Sequence, residues 1–112
     1  MPNKPLAALT QAILKSLAQY DNQGTRHWDT DAAMKDLAYQ TGSVAKVLMQ
    51  LENTRWADGK SKDELMRQLR NELADVITDA LYIANEQGCD MDLAVQEMFA
   101  DDDKKAQERA KL

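Results

Sequence analysis

The feature that most constrains this chain is a run of apolar residues, spaced three and four apart, between a helix start and a helix stop. The start is S-K-D-E at residues 61–64, a capping box in which Ser61 accepts from a first-turn N–H and Glu64 reaches back. The stop is Gly88, a residue type favoured just beyond a helix C-terminus. The apolar face between them consists of Leu65, Leu69, Leu73, Val76, Ile77, Ala80, Ile83 and Ala84. The pattern predicts a helix over residues 62–87, which we expect to be the most buried one.

Two segments before this helix show the same spacing. Residues 5–20 carry apolar side chains on one helical face, and residues 31–52 carry a narrow seam after an expected N-cap at Thr30 or Asp31. The seam members are Met34, Leu37, Thr41, Val44, Leu48 and Leu51. Gly42 interrupts this second helix, so we expect another helix to approach closely there. Two helices are therefore predicted before residue 60.

A fourth helix is predicted over residues 91–110, starting at Asp90 or Asp92. We expect its inward face to consist of Leu93, Ala94, Met98 and Phe99. A chain of 112 residues fits one domain, and no segment alternates as a strand would. The fold class is therefore all-α, a four-helix bundle that is closed within one subunit or completed by oligomerisation.

Charge and composition exclude several classes of protein. The formal charge of -5 argues against a nucleic-acid partner, because binding to such a backbone depends on Lys and Arg neutralising phosphates. No segment has the apolar length of a membrane span or a signal peptide, so the cytoplasm is the expected compartment. The single cysteine, Cys89, forms no intramolecular disulfide and is expected to be a buried structural thiol.

Three carboxylates share one edge of the third predicted helix. At 100° per residue, Glu72, Asp75 and Asp79 lie within about 60° of one another, and Glu72 lies at the margin of the apolar face. One or two carboxylates, with phosphate oxygens and water, are the usual protein ligands of Mg²⁺. The alternative is an ordinary solvated helix face, and spacing alone does not decide between the two.

Three motifs lie around this edge: N-E-L-A-D-V at residues 71–76, L-Y-I-A-N at 81–85 and G-C-D-M-D-L at 88–93. They resemble the motifs of the MazG-like nucleotide pyrophosphohydrolases, within an overall similarity over about residues 28–98. The resemblance implies an all-α homodimer or homotetramer that uses Mg²⁺ to cleave nucleoside triphosphates to monophosphate and pyrophosphate. It implies that Glu72 and Asp75 are metal ligands, with Asp79 as a further candidate.

The chain also departs from that family. The family's E-E-x-G-E motif corresponds here to Y-Q-T-G-S at residues 39–43, which keeps Gly42 and replaces all three acids. About half of the implied metal ligands are missing, so weakened activity is expected. Gln40 and Ser43 remain candidates for substrate contacts, and Glu52, Asp63 or Asp79 are candidates to replace the missing acids.

Asn85 and Trp28 complete the set of candidate substrate-binding residues. Trp28 and Trp56 flank the second helix, where each either stacks on a base or covers one end of the core. His27 has no second His or Cys nearby, which argues against zinc. Lys60, Lys62, Arg67 and Arg70 either meet phosphates or form a solvated helix start.

Three hypotheses follow from the sequence. The first is a MazG-like, Mg²⁺-dependent pyrophosphohydrolase of weak activity. The second is a catalytically inactive helical oligomer that binds a nucleotide or a protein partner. The third is a structural bundle without a ligand. Retention of Glu72 and Asp75 favours the first, whereas loss of acids at 39, 40 and 43 favours the second.

Overall fold

The four predicted helices are present, with boundaries close to the expected ones. The computed structural model describes residues 3–22 and 28–112. Within them no strand occurs, and the helices are α1 (Pro5–Asn22), α2 (Thr30–Glu52), α3 (Lys62–Glu86) and α4 (Met91–Ala110). A short 3-10 turn, Thr54–Trp56, follows α2. The all-α fold class is therefore confirmed, and no helix of the described residues is long and apolar enough to cross a membrane.

Local side-chain and backbone hydrogen bonds explain where α3 begins and ends. Ser61 Oγ accepts from the backbone N–H of Glu64 at 3.1 Å, which confirms the expected cap. Gly88 has φ 70°, a left-handed conformation that glycine adopts at little cost. The N–H of Cys89 then donates to Ala84 O at 2.8 Å, and that of Gly88 donates to Asn85 O at 3.2 Å. This pair of bonds is a Schellman motif, which satisfies carbonyls at the helix end.

Aspartates satisfy the starts of the other three helices, and Asp90 at α4 is one of the two residues expected there. The N-cap of α2 is Asp29, which accepts from the N–H of Ala32 at 2.8 Å, so the expectation of Thr30 or Asp31 was wrong by one or two residues. Asp90 caps α4. Asp92 instead reaches α1, where its two oxygens accept from the N–H groups of Leu6 and Ala7, both at 3.0 Å. A carboxylate at a helix N-terminus satisfies unpaired donors, so Asp92 connects the start of α4 to the start of α1.

The core lies mainly between α2 and α3, which pack side by side in opposite directions. Its best buried cluster contains Val47, Ala57 and Leu65, with Leu51 and Leu69 partly buried against it. α3 contributes the most buried residues, as expected: Leu65, Glu72, Asp79, Leu81, Tyr82 and Ala84. α1 packs on the C-terminal half of α3, where Ile13 is buried.

The predicted seam of α2 is correct for Leu37, Val44 and Leu51, which are partly buried, and wrong for Met34, Thr41 and Leu48, which are exposed. The buried residues are Ala33, Val47 and Gln50, whereas Met34 and Leu48 are about half exposed. A shift of one residue rotates a helix face by 100°, so the mixed set Ala33, Asp36, Gln40, Ser43, Val47 and Gln50 faces α3. Polar members in this buried row hide its period from a search for apolar residues.

α4 does not bury the residues that its pattern suggested. Leu93, Met98 and Phe99 are each about half exposed, Ala94 is exposed, and no residue of α4, all of which is described, is buried. The radius of gyration of 18.1 Å exceeds the value of about 13 Å expected for a compact chain of roughly this length. The chain therefore leaves much apolar surface uncovered.

Candidate functional site

A cavity opens along one side of the contact between α2 and α3. Its volume is about 510 Å³, and its lining comprises Ala38, Tyr39, Gly42, Ser43 and Lys46 from α2 with Gln68 and Glu72 from α3. The antiparallel packing places residues 39–43 opposite Glu72. The cavity thus joins the segment that departs from the MazG pattern with the segment that keeps it.

Glu72 is held in this cavity by side chains of its own helix. It is 9% exposed, and its Oε1 accepts from Gln68 Nε2 at 3.2 Å. Lys60 Nζ in turn donates to Gln68 Oε1 at 3.1 Å, which fixes the orientation of the Gln68 amide. The second oxygen, Oε2, is buried and has no hydrogen-bond partner among the described residues. A buried carboxylate oxygen without a donor is unfavourable, so this atom is suited to a cation or a donor group of a ligand.

The expected close approach at Gly42 was wrong for the single chain. A Cβ added there would meet nothing within 4 Å. Gly42 instead forms part of the cavity wall, beside Ser43. Its missing side chain therefore widens an open space and does not admit a neighbouring helix.

Asp75 and Asp79 follow Glu72 along α3, and both lie near Asp36 of α2. Burial raises the pKa of Asp75, and the negative charges of Asp36 and Glu72 raise it further. Burial, a side-chain hydrogen bond with Asp36 and the charges of Asp36 and Asp75 raise the pKa of Asp79 to about 7. Asp79 is 2% exposed, and its Oδ2 has no hydrogen-bond partner among the described residues. A proton on Asp79 therefore relieves its repulsion from Asp36 and Asp75 in this buried position.

The candidate metal ligands do not form one compact group. Among the described residues, no three His, Cys, Asp or Glu side chains are arranged to hold a metal ion. Glu72 and Asp75 interact electrostatically, and both are oxygen ligands of the type that Mg²⁺ accepts. The unpartnered Oε2 of Glu72 suits a first ligand. Two carboxylates are the number that one Mg²⁺ with phosphate and water ligands commonly takes from a protein, and two Mg²⁺ ions need more anionic ligands. Glu52 and Asp63, the other candidates to supply charge, are exposed.

Two of the candidate substrate-binding residues lie away from this cavity. Asn85 lines a separate cavity of about 190 Å³ between α1 and the start of α4. It is 13 residues beyond Glu72, or about 20 Å along the helix. Trp28 packs edge-on against Tyr82, with ring centroids 6.4 Å apart, and its carbonyl accepts from Tyr82 Oη at 3.0 Å. Trp28 thus covers one end of the core, whereas Trp56 is half exposed.

The remaining two candidates, Ser43 and Gln40, lie on the face of α2 that packs against α3. Ser43 lines the cavity with Glu72, and Gln40 is half-buried in the seam. Cys89 is exposed, so the expectation of a buried thiol was wrong. His27 lies outside the described residues.

Sequence reasoning missed three polar residues of the seam and cavity. Asp36, Lys46 and Gln68 were not singled out, because none belongs to the motifs that carried the resemblance. Lys46 had a usable signal, since it follows Ser43 by three residues and Gly42 by four, and such residues share a helical face. The placement of Asp36 and Gln68 follows only from the packing of α2 against α3, which the sequence did not indicate.

Comparisons with protein-family models, with curated proteins and with solved structures gave no match. The resemblance to MazG-like proteins thus stays a prediction from the motifs quoted above.

Proposed function

We propose that this protein is a MazG-like, Mg²⁺-dependent nucleoside triphosphate pyrophosphohydrolase of weak activity. In this reaction water is added across the bond between the α- and β-phosphates, so that a nucleoside monophosphate and pyrophosphate are formed. The observation that carries the proposal is Glu72, which lines an open cavity and whose buried Oε2 has no hydrogen-bond partner among the described residues. The facing residues 39–43 belong to the segment that the resemblance pairs with Glu72.

The residues of the cavity, together with Asp75 on the same helix as Glu72, have distinct roles in this proposal. Glu72 and Asp75 would hold one Mg²⁺, which when bound offsets phosphate charge and orients the attacking water. Gln68 positions Glu72 by donating to Oε1, so that Oε2 is left for the ligand. Ser43 offers a neutral hydroxyl where the family carries a carboxylate, which accounts for the expected weakness.

Glu72→Gln tests the activity directly. Wild-type protein incubated with a panel of nucleoside triphosphates and Mg²⁺ is expected to release pyrophosphate, and Glu72→Gln is expected to lower the rate at least about 100-fold. The reason is that the substitution replaces a charged ligand by a neutral amide. Glu97→Gln, on the exposed surface of α4, is the matched control and should keep the wild-type rate. Equal rates in all three proteins would show that Glu72 is not at the site.

A second function, an inactive oligomer that binds a nucleotide or a protein partner, is favoured by one observation. Within residues 3–22 and 28–112, no three His, Cys, Asp or Glu side chains are placed so that together they could hold a metal ion. Nucleotide binding by calorimetry without pyrophosphate release would support this function over the first.

We further infer that the protein is a homodimer or homotetramer. Met34 and Leu48 are half exposed, and each lies one residue after a member of the α2 row that faces α3. Leu73 and Ile77 are also half exposed, and each lies one residue after a position on the face of α3 that meets α2. Because the two helices are antiparallel, this offset turns both pairs to the same side of the helix pair. Tyr39, Gly42 and Lys46 lie before the buried row, on the other side. A second copy covering the apolar side would therefore leave the cavity open.

Ile77→Lys tests this association. Wild-type protein is expected to sediment at two or four times the chain mass of 12.6 kDa, and Ile77→Lys is expected to sediment at the chain mass, because a charge in an apolar interface is costly to desolvate. Phe99→Lys, on the half-exposed face of α4, is the control and should keep the wild-type mass. Wild-type protein that stays monomeric at 100 μM would contradict the inference.

A further inference from the structure

The cavity beside Glu72 has an unusual balance of charge for a phosphate site that relies on metal ions. Its charged lining residues are Glu72 on α3 and Lys46 on α2. The α2 wall contains no acid, since its members are Ala38, Tyr39, Gly42, Ser43 and Lys46. Two divalent cations held close together need several anionic ligands to offset their repulsion, and this cavity does not supply them.

A triphosphate carries more negative charge than one divalent cation offsets, so the remainder must be balanced by protein donors. Lys46 is an exposed side chain on the same face of α2 as Gly42 and Ser43, within the wall of the cavity. An ammonium group donates to phosphate oxygens as a point charge, with no need for a fixed fork geometry. We propose that Lys46 binds the phosphate chain of the nucleotide, in place of a second cation, across the cavity from Glu72. This inference rests on the proposed function for the identity of the ligand.

The shape of the cavity supports the same placement. Gly42 lies one turn before Lys46, and a Cβ added to it would meet nothing within 4 Å. A side chain at Gly42 would take up part of the cavity that a phosphate chain between Glu72 and Lys46 would use. Tyr39, about two-thirds exposed at the rim, presents a ring on which a base can stack. Together, these features match the parts of a nucleotide: the carboxylate of Glu72, the ammonium group of Lys46, the open space at Gly42 and the ring of Tyr39.

Isothermal titration calorimetry with inorganic tripolyphosphate, with Mg²⁺ and separately with EDTA, tests the role of Lys46. Lys46→Gln is expected to weaken binding about tenfold or more in both buffers, the usual effect of losing one charged hydrogen bond. Lys35→Gln is the matched control on the same helix and should bind like wild type, because Lys35 pairs with Asp31 at 2.8 Å on the exposed surface.

Gly42→Ala tests the open space without threatening the fold. It is expected to weaken tripolyphosphate binding while raising the thermal unfolding temperature, since Ala is favoured over Gly inside a helix by about 1 kcal/mol. Wild-type affinity in both Lys46→Gln and Gly42→Ala, or no binding by wild type, would overturn the inference. A change in the sedimenting mass of Lys46→Gln or Gly42→Ala, with no change in tripolyphosphate affinity, would also overturn the inference. The cavity would then hold a second copy of the chain.

The outcomes also separate this inference from the proposed function. Pyrophosphate release that is equal in wild type and Lys46→Gln overturns the role of Lys46 and leaves the enzymatic proposal in place. Tripolyphosphate binding that depends on Lys46, without pyrophosphate release from any triphosphate, supports the inference and overturns the enzymatic proposal.

Discussion

Asp79→Asn is expected to stabilise the protein at pH 8 and to flatten the dependence of its stability on pH. The pKa of Asp79 is about 7 in the folded chain, against an ordinary value of 3.8. Between these values the folded state holds a proton that the unfolded state has lost, so the contribution of this group to the free energy of unfolding falls as the pH rises. The stabilisation from the proton on Asp79 is fully lost above about pH 7. The free energy of unfolding falls by on the order of 2 to 4 kcal/mol as a result.

The physical cause is the ionisation of a buried group next to other carboxylates. Asp79 meets Asp36 from α2 and Asp75 from its own helix, and it is almost fully buried. An asparagine of the same shape keeps a donor toward Asp36 and removes the charge at every pH. Urea unfolding followed by circular dichroism from pH 4.5 to 8.5, in buffers with EDTA, measures the effect.

Asp102→Asn is the matched control for this experiment. It removes one carboxylate from the exposed surface of α4 and should leave the pH profile parallel to that of wild type. A pH dependence whose slope is the same in Asp79→Asn and wild type would show that Asp79 does not hold a proton at neutral pH in the folded chain.

Leu65→Ala is expected to destabilise the chain by about 2 to 5 kcal/mol, the usual cost of removing a buried leucine side chain. Leu65 is 2% exposed and packs with Val47 and Ala57, and this cluster joins α2, the following turn and α3. A loss of that size is a large part of the roughly 5 to 15 kcal/mol that stabilises a typical domain. The midpoint of thermal unfolding, measured by circular dichroism, should fall by about 10 °C or more.

Two further substitutions make the result for Leu65 interpretable. Leu93→Ala makes the same chemical change at a half-exposed position of α4, and we expect it to cost less than about 1 kcal/mol. Leu65→Met keeps the volume and should stay within about 1.5 kcal/mol of wild type. Equal losses at positions 65 and 93 would contradict the assignment of the core to α2 and α3.

The candidate site was foreseen in part. The motif around Glu72 and Asp75 singled out residues that lie at the margin of the core, because a helix wheel fixes which positions of one helix share a face. The same reasoning grouped Asp79 with them on one edge. It did not reveal Asp36, since a wheel contains no information about which residue of another helix lies opposite. Nor did it separate Asn85 and Trp28 from the cavity, because motif membership is a property of sequence and not of distance.

What the sequence by itself determined is the set of helices and most of their ends. Ser61, Asp90 and Gly88 act through bonds within a few residues of themselves, so local pattern is sufficient to place them. The tertiary structure alone decided which face of α2 is buried. Burying Gln50 and facing Asp36 toward Asp79 depend on the opposite helix, and their energies come from desolvation and pairing across it. The face of α2 that packs against α3 therefore contains polar residues that the apolar pattern had predicted to be exposed to solvent.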